Sequence, residues 1–339
     1  MLDQVLDAFG VKPAFDLDLM QAGQTLTSLS ARLIAGLEKV FADTQPALTI
    51  VQGDTTTTLC ATLCSFYAKV PVAHVEAGLR TFDLQAPFPE EMNRVVTTRL
   101  AALHFAATEL AAQNLRNEGV SAEQISVTGN TGIDAVLAIS SGLKSGRLKS
   151  NLSLPLDPKR KLILVTAHRR ESFGESFANI CRALTEISRR PDTQIVWPLH
   201  PNPNVRKATD EMLRGNPNIL LIEPLDYVPF VDLMCRAYLF ITDSGGIQEE
   251  GPSLGKPILV LRDKTERPEA VVAGTVKLVG TDQAAIVRET IRLLDDSAEY
   301  ARMARLHNPY GDGHASGRIA KRIAQYLQTQ QAQAKGHSV

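Results

Sequence analysis

The sequence lacks the features that would recruit a charged polymer or a membrane. Its 339 residues carry 36 Lys plus Arg against 37 Asp plus Glu, a formal charge of −1 at pH 7. A near-neutral chain has no global field that attracts nucleic acid or anionic lipid, so any anion must be bound locally. No apolar run reaches the roughly 18–20 residues that span a bilayer, and the start of the chain lacks a signal peptide's basic and apolar regions. We therefore predict a soluble cytoplasmic protein with no nucleic-acid or membrane partner.

Cysteine pairs and the common nucleotide fingerprints are also missing. The four cysteines form no CxxC motif, and Cys60 and Cys64 lie one helical turn apart among Leu59, Leu63 and Phe66. We interpret the cysteines as small buried hydrophobic residues rather than metal ligands or disulfide partners, and we expect no metal. Neither GxxxxGK[ST] nor an early GxGxxG occurs, so nicotinamide and P-loop chemistry are poorly supported and we expect no cofactor.

What the sequence does contain is a repeated α/β pattern. Short aliphatic and β-branched runs alternate with amphipathic helical stretches, which is typical of buried parallel sheets. A polar, proline-containing segment at 141–161 separates two groups of runs, so we predict two doubly wound halves that face each other across a cleft. We place the domains at 1–150 and 151–310, with a helix in 311–339 that packs back toward the first domain. The predicted strands are Leu48–Gln52, Pro71–Val75, Leu103–Ala106, Ile125–Val127, Leu162–Val165, Gln194–Trp197, Ile219–Ile222, Leu239–Thr242, Pro257–Leu261 and Val276–Val279.

Polar clusters follow four of these strands, where the ligands of doubly wound sheets bind. One cluster, Ser244, Gly245 and Gly246, begins a predicted helix whose unpaired N–H groups and dipole favour a diphosphate. Glu250, one turn further on, is placed to accept hydrogen bonds from ribose hydroxyls. Alternatively, Asp243 or Ser244 merely caps the helix, but capping does not explain the paired glycines.

Cationic side chains follow other strands. His168, Arg169 and Arg170 stand in a row directly after a strand, a good position for neutralising a phosphate. Arg267 is a further candidate, although an ordinary surface ion pair with a flanking glutamate explains it equally well. His200 also follows a strand, and for it a structural role is the default.

The first half supplies carboxylates. Asp54 and Glu76 each end a strand, and Glu90 and Glu91 open a helix, where acids commonly serve the helix dipole. Asp54 could likewise cap the helix predicted at residues 55–67. Taken together, acids facing a basic half across a cleft favour proton transfer next to a phosphorylated leaving group.

Ten motifs, in order along nearly the whole chain, closely resemble the bacterial non-hydrolysing UDP-N-acetylglucosamine 2-epimerases. They are VQGDTTTT, HVEAGLRT, PFPEEMNR, VTGNTGIDAV, VTAHRRESFG, PLHPNPNVR, ITDSGGIQEEGPSLGKPILVLRD, TERPEAV, AGTVKLVGTD and NPYGDGHASGRI.

The resemblance implies a fold and an activity. The fold is two Rossmann-like domains of the glycosyltransferase-B type, usually in a homodimer. The activity is interconversion of UDP-GlcNAc and UDP-ManNAc by elimination of UDP to 2-acetamidoglucal and re-addition. A second UDP-GlcNAc activates bacterial members of the family.

The resemblance also implies residue roles. The catalytic acids are Asp54, Glu76 and Glu90, and His168 is the catalytic-site histidine near the diphosphate. Arg169 and His200 resemble residues of the activator site. The UDP contacts are Phe230 near uracil, a position where an aromatic is usually core, together with Ser244, Gly245, Gly246, Glu250 and Arg267.

One departure from the family pattern concerns the start of the chain. Family members open with a strand and a Gly-Thr-Arg-Pro-Glu loop whose arginine reaches the substrate, and the chain as written has neither. Either the start is assigned too late, which we favour because a protein without a central strand should be unstable, or the chain is a truncated form. For the chain as written, we expect that lack of this βαβ unit exposes an apolar sheet edge and leaves it weakly active or inactive. A UDP-sugar glycosyltransferase of the same architecture, a hydrolysing relative and a non-catalytic nucleotide-sugar sensor remain as rival functions.

Overall fold

The computed structural model describes residues 2–167, 174–200, 202–265, 267–305 and 307–336. It divides into two compact units. Lys12–Asp134 and Tyr310–Val339 form the four-stranded unit, and Met1–Val11 and Ala135–Pro309 form the six-stranded unit. Helix α6 (Thr131–Lys144) crosses the division.

The four-stranded unit is a fully parallel sheet of strand order β1-β2-β3-β4. Its apolar strand residues Ala73, Val75, Leu103 and Phe105 are buried, and Ile319 of the last helix packs on them. Apart from α6, its elements are α2 (Leu26–Thr44), β1 (Thr49–Gln52), α3 (Thr56–Tyr67), β2 (Val72–Ala77), α4 (Glu90–Leu100), β3 (Leu103–Ala106), α5 (Glu109–Asn117), β4 (Ile125–Val127) and α14 (Ala315–Gly336).

The six-stranded unit is a parallel sheet of order β10-β9-β8-β5-β6-β7. Its core includes Trp197, whose ring lies 5.6 Å from that of Phe177. Its elements are α1 (Leu2–Ala8), β5 (Lys161–Thr166), α7 (Glu175–Ile187), β6 (Thr193–Pro198), α8 (Pro203–Leu213), β7 (Ile219–Ile222), α9 (Tyr227–Arg236), β8 (Leu239–Thr242), α10 (Gly245–Glu250), β9 (Ile258–Val260), α11 (Pro268–Ala273), β10 (Val276–Leu278), α12 (Gln283–Asp295) and α13 (Ser297–Arg305).

The order of this second sheet fixes where a ligand would bind. The chain builds outward from β5 to β7 and then returns through α9 to β8, which pairs with the other edge of β5. The point between β5 and β8 is therefore a topological switch point, and ligands of such sheets bind just outside the carboxyl ends of the strands that flank it.

The predicted α/β class and all ten predicted strands are confirmed, with ends that differ by two residues at most. The cysteines are free, as predicted, with Cys60, Cys64 and Cys181 buried and Cys235 half-buried. Among the described residues no group of His, Cys, Asp or Glu is arranged to hold a metal ion. No described helix has both the length and the apolarity to cross a membrane.

Candidate functional site

The carboxyl ends of β5 and β8 place the predicted anion cluster at the switch point of the six-stranded sheet. The side chains of Thr166 and Thr242 lie 2.6 Å apart at the ends of the two strands. Ser244 is the N-cap of α10, but its side chain makes no capping hydrogen bond. The interpretation of Ser244 as a mere cap is therefore not supported.

The absence of a side chain at Gly245 leaves room for a cation that lies directly against it. A β-carbon added at Gly245 would stand 2.6 Å from Cζ and 2.7 Å from Nη1 of Arg267. The guanidinium thus occupies the space that a side chain would fill. It brings a full positive charge to a helix start that already favours anions.

Buried partners fix this arginine from behind. The Arg267 Nε donates to Glu249 Oε1 at 2.5 Å, and the side chain of Glu249 is only 9% exposed. The Arg267 backbone N–H donates to Thr265 Oγ1, and that hydroxyl donates to Gln248 Oε1 at 2.8 Å. Arg267 therefore pairs with a buried glutamate on α10, which an ordinary surface ion pair with a flanking glutamate does not explain.

Glu250 lies beside the same helix start. Its Oε1 would be 3.8 Å from a β-carbon at Gly246. Burial, reinforced by the nearby Glu249 charge, raises the pKa of Glu250 to about 7. The same burial effect, with Glu250 close by, raises the pKa of Tyr227 on α9.

The other predicted residues of the six-stranded unit have varied surroundings. Phe230 is half-buried on α9 and is not a member of the core clusters among the described residues. His200 is exposed, and its Nδ1 accepts from the Asn202 backbone N–H at 3.2 Å. His168 and Arg169 lie outside the described residues.

In the four-stranded unit, the ends of β1 and β2 bring two predicted acids together. The Glu76 carboxylate lies over Gly53, 3.4 Å from where a β-carbon there would stand, and Asp54 is the next residue. Glu76 forms an irregularity in the pairing of β2 with β3 and has a φ of +63°. A non-glycine residue in this region is unusual, and such strain concentrates at functional sites.

The turn that carries Asp54 is anchored by several hydrogen bonds. Buried His74 donates from Nε2 to the Gly53 carbonyl at 2.8 Å, and desolvation lowers the pKa of His74 to about 4, so its ring is neutral at pH 7. Asn93 Nδ2 donates to the Asp54 carbonyl at 2.8 Å. Thr55, not Asp54, caps α3 by accepting from the Thr58 N–H, so the interpretation of Asp54 as a cap is wrong.

Helix α4 begins at Glu90, as predicted, and its first two turns reach the Asp54 turn through Asn93 and Arg94. Glu90 is half-buried, whereas its neighbour Glu91 is completely buried and accepts from the backbone N–H groups of Thr81 and Phe82. The sequence motifs alone indicate no role for Glu91. Its spacing of three residues from Arg94 is the available signal, because residues i and i+3 are neighbours on a helix.

The chain is similar to known proteins over nearly its whole length. A family model described as UDP-N-acetylglucosamine 2-epimerase matches residues 1–324. The UDP-N-acetylglucosamine 2-epimerase of Escherichia coli strain K12 is 53% identical over 328 residues, which cover 95% of this chain and 87% of the relative.

Two solved structures extend the comparison. The UDP-GlcNAc 2-epimerase of Neisseria meningitidis bound to UDP-GlcNAc is 46% identical, with a TM-score of 0.87 over 96% of this chain and 88% of that one. The Methanocaldococcus jannaschii enzyme in complex with UDP-GlcNAc and UDP is 34% identical, with a TM-score of 0.76 over 96% and 88%.

Proposed function

The chain belongs to the UDP-N-acetylglucosamine 2-epimerase family, and from that premise we propose that it reversibly converts UDP-GlcNAc into UDP-ManNAc. The observation that carries the proposal is the Arg267 guanidinium held on Gly245 at the switch point of the six-stranded sheet. A carboxylate pair, Asp54 and Glu76, in the four-stranded unit supplies groups suited to proton transfer.

The chemistry of the sugar dictates the order of events. The C2 proton is not next to a carbonyl and is barely acidic, so cleavage of the C1–O bond leads. Positive charge then builds on the sugar while the bonding electrons leave with UDP. A base takes the C2 proton to give 2-acetamidoglucal, and UDP adds back to C1 after a proton reaches the other face of C2.

Each charge has candidate groups to stabilise it. We assign proton transfer and stabilisation of the sugar cation to the carboxylates Asp54, Glu76 and Glu90. We assign stabilisation of departing UDP to His168 and Arg267, since fixed donors aimed at developing charge lower the barrier most.

We further propose how UDP is held. The Ser244 hydroxyl and the backbone N–H groups of Gly245 and Gly246 bind the diphosphate beside Arg267. Glu250 accepts hydrogen bonds from the ribose hydroxyls, and half-buried Phe230 packs near uracil. We assign Arg169 and exposed His200 to a second UDP-GlcNAc site that activates the enzyme.

The proposed reaction is tested by hydrogen exchange from the solvent. Incubated with UDP-GlcNAc in D2O and no acceptor, the protein should place deuterium at C2 of both UDP-GlcNAc and UDP-ManNAc, as read by mass spectrometry and NMR. Glu76→Gln should slow the exchange by about 10²–10⁴-fold. Glu109→Gln, which changes an exposed carboxylate on α5 of the same unit, should exchange like the wild type.

Other outcomes identify the rivals. Transfer that requires an acceptor, without C2 exchange, would support a glycosyltransferase. Release of UDP and free ManNAc would indicate a hydrolysing enzyme. UDP binding with no turnover, which persists when the family's opening strand and Gly-Thr-Arg-Pro-Glu loop are added to the chain, would support a sensor, and each of these results would reject the epimerase.

We also propose that the protein acts as a homodimer in the cytoplasm, with a second copy covering the end of α3. Phe66 and Tyr67 there are 56% and 67% exposed, and their ring centroids lie 6.3 Å apart. A groove of about 540 Å³ beside them is lined by Ile34 and Phe41 of α2. Clustered exposed aromatics of this kind favour a protein contact.

The dimer contact predicts a change in sedimentation. Tyr67→Glu should shift the protein from dimer to monomer in analytical ultracentrifugation, because a charge would be buried in the apolar contact. Val272→Glu alters a side chain that is 87% exposed in the other unit and should leave the dimer intact. A wild-type monomer, or a dimeric Tyr67→Glu variant, would reject this interface.

A further inference from the structure

Asp54 is paired with a buried cation that the sequence motifs did not single out. Nη1 of Arg94 lies 3.5 Å from Asp54 Oδ2, and the Arg94 side chain is only 8% exposed against 31% for Asp54. A cation this close favours the ionised form of a carboxylate. The more exposed group, Asp54, is the one able to meet a substrate.

Arg94 itself lies against a buried carboxylate. Its Nε lies 2.7 Å from Oε2 of Glu91, whose side chain is 1% exposed. The backbone N–H groups of Thr81 and Phe82 donate to the two Glu91 oxygens at 3.1 and 3.0 Å. The loop after β2, the first turn of α4 and the turn after β1 thus meet through one chain of charges formed by Glu91, Arg94 and Asp54.

We propose that Arg94 is a positioning residue, which keeps Asp54 ionised and aimed while Glu91 neutralises the surplus positive charge. The proposal rests on the role given above to Asp54. In this arrangement Asp54 enters the reaction as a carboxylate, as a base for the C2 proton or a counter-charge for the sugar cation. Arg94 touches no reacting atom and acts only through Asp54.

Hydrogen bonds from other residues hold the backbone at Asp54, which leaves Arg94 to act on the side chain. His74 and Asn93 already hold the backbone of the Asp54 turn through its carbonyl groups. Loss of Arg94 would therefore leave the turn in place: it should lower the stability, because the buried Glu91 carboxylate loses its cation, and it should act on the reaction through the charge and direction of the Asp54 side chain. A purely structural role predicts instead that its loss acts on folding, whatever residue occupies position 54.

A double-mutant cycle separates the two roles. Arg94→Gln alone should lower kcat for C2 exchange by about tenfold to a hundredfold, with KM and UDP affinity nearly unchanged. In an Asp54→Asn background the same change should lower kcat by less than about threefold, since the group through which Arg94 acts is gone. Losses that multiply in full would overturn the proposal.

Arg80→Gln is the matched control for loss of a buried cation. The Arg80 side chain is fully buried in the same unit and pairs with Glu118 at 2.5 Å. It should lower the urea midpoint, and any change it makes in kcat should be the same in both backgrounds at position 54. Assays are run below the unfolding transition of every variant.

Arg94→Lys gives a second reading that does not depend on the residual activity of Asp54→Asn. Lysine keeps the charge and loses the planar fork, so we expect its kcat to exceed that of Arg94→Gln at least about fivefold. Equal kcat values for lysine and glutamine would overturn the proposal. A wild-type protein that shows no C2 exchange, even with the family's opening strand and loop added, would instead refute the proposed function, which makes the two failures distinguishable.

Discussion

Gly245→Ala should weaken UDP binding by about tenfold to a hundredfold while leaving the protein folded. The new β-carbon would stand 2.6 Å from Arg267 Cζ, so the guanidinium must leave its position. The clash is with the far end of a flexible side chain, which can rotate away without unfolding the protein, although loss of its pairing with Glu249 should lower the stability. The loss therefore falls on the charge-assisted contact to the diphosphate, and isothermal titration with UDP measures it directly.

A second glycine, just past the end of the same helix, provides the control. A β-carbon at Gly251 would meet Ile258 Cδ1 at 2.7 Å and Phe240 at 2.9 Å, which overpacks the core and should cost about 1–3 kcal/mol of stability. Gly251→Ala should lower the unfolding midpoint, read from the fluorescence of buried Trp197, and leave UDP affinity within about threefold. Gly245→Ala should thus lower mainly the UDP affinity, and Gly251→Ala mainly the stability. A wild-type UDP affinity in Gly245→Ala would refute the role of Arg267.

The strands could be predicted because most are buried on both faces and therefore appear as uninterrupted aliphatic runs. Predicting the strands also located the ligand sites, since polar residues directly after a run fall at the carboxyl edge of a parallel sheet. This is why the sequence predicts Asp54 and Glu76 at the ends of neighbouring strands and Ser244 at a helix start, which is where the structure has them.

What the sequence could not supply are the partners of these residues. Arg267 pairs with Glu249, which precedes β9 in the chain. Arg94 pairs with Asp54, which precedes β2. No local sequence pattern links residues so far apart. Glu90 and Glu91 are the same residue type, but the orientation of α4 about its axis buries only Glu91 completely. The positive φ of Glu76 accompanies the irregular pairing of β2 with β3, which leaves no mark in the residue types.

Gly78→Ala should be the most damaging single substitution in the four-stranded unit that follows from these contacts. Gly78 has a φ of +93°, and a β-carbon there would lie 2.2 Å from the carbonyl oxygen of Ala111. That oxygen belongs to the backbone of α5, whose Ala112 and Leu115 are fully buried, so it cannot move aside. Strain and clash together should cost more than about 4 kcal/mol, enough to abolish soluble expression or the native circular dichroism.

Gly119→Ala separates the strain from the clash. Gly119 has a similar φ of +86°, yet no described heavy atom lies within 4 Å of the point where its β-carbon would stand. Alanine there should bear only the left-handed penalty of about 1–2 kcal/mol and remain folded, with a modest fall in its urea midpoint. The difference between the two variants then isolates the contact between the loop after β2 and α5. Because Glu76 lies two residues before Gly78, that contact also sets where the proposed catalytic carboxylate stands. Equal midpoints for the two variants would show that α5 yields, and that the rigidity inferred for its Ala111 carbonyl is wrong.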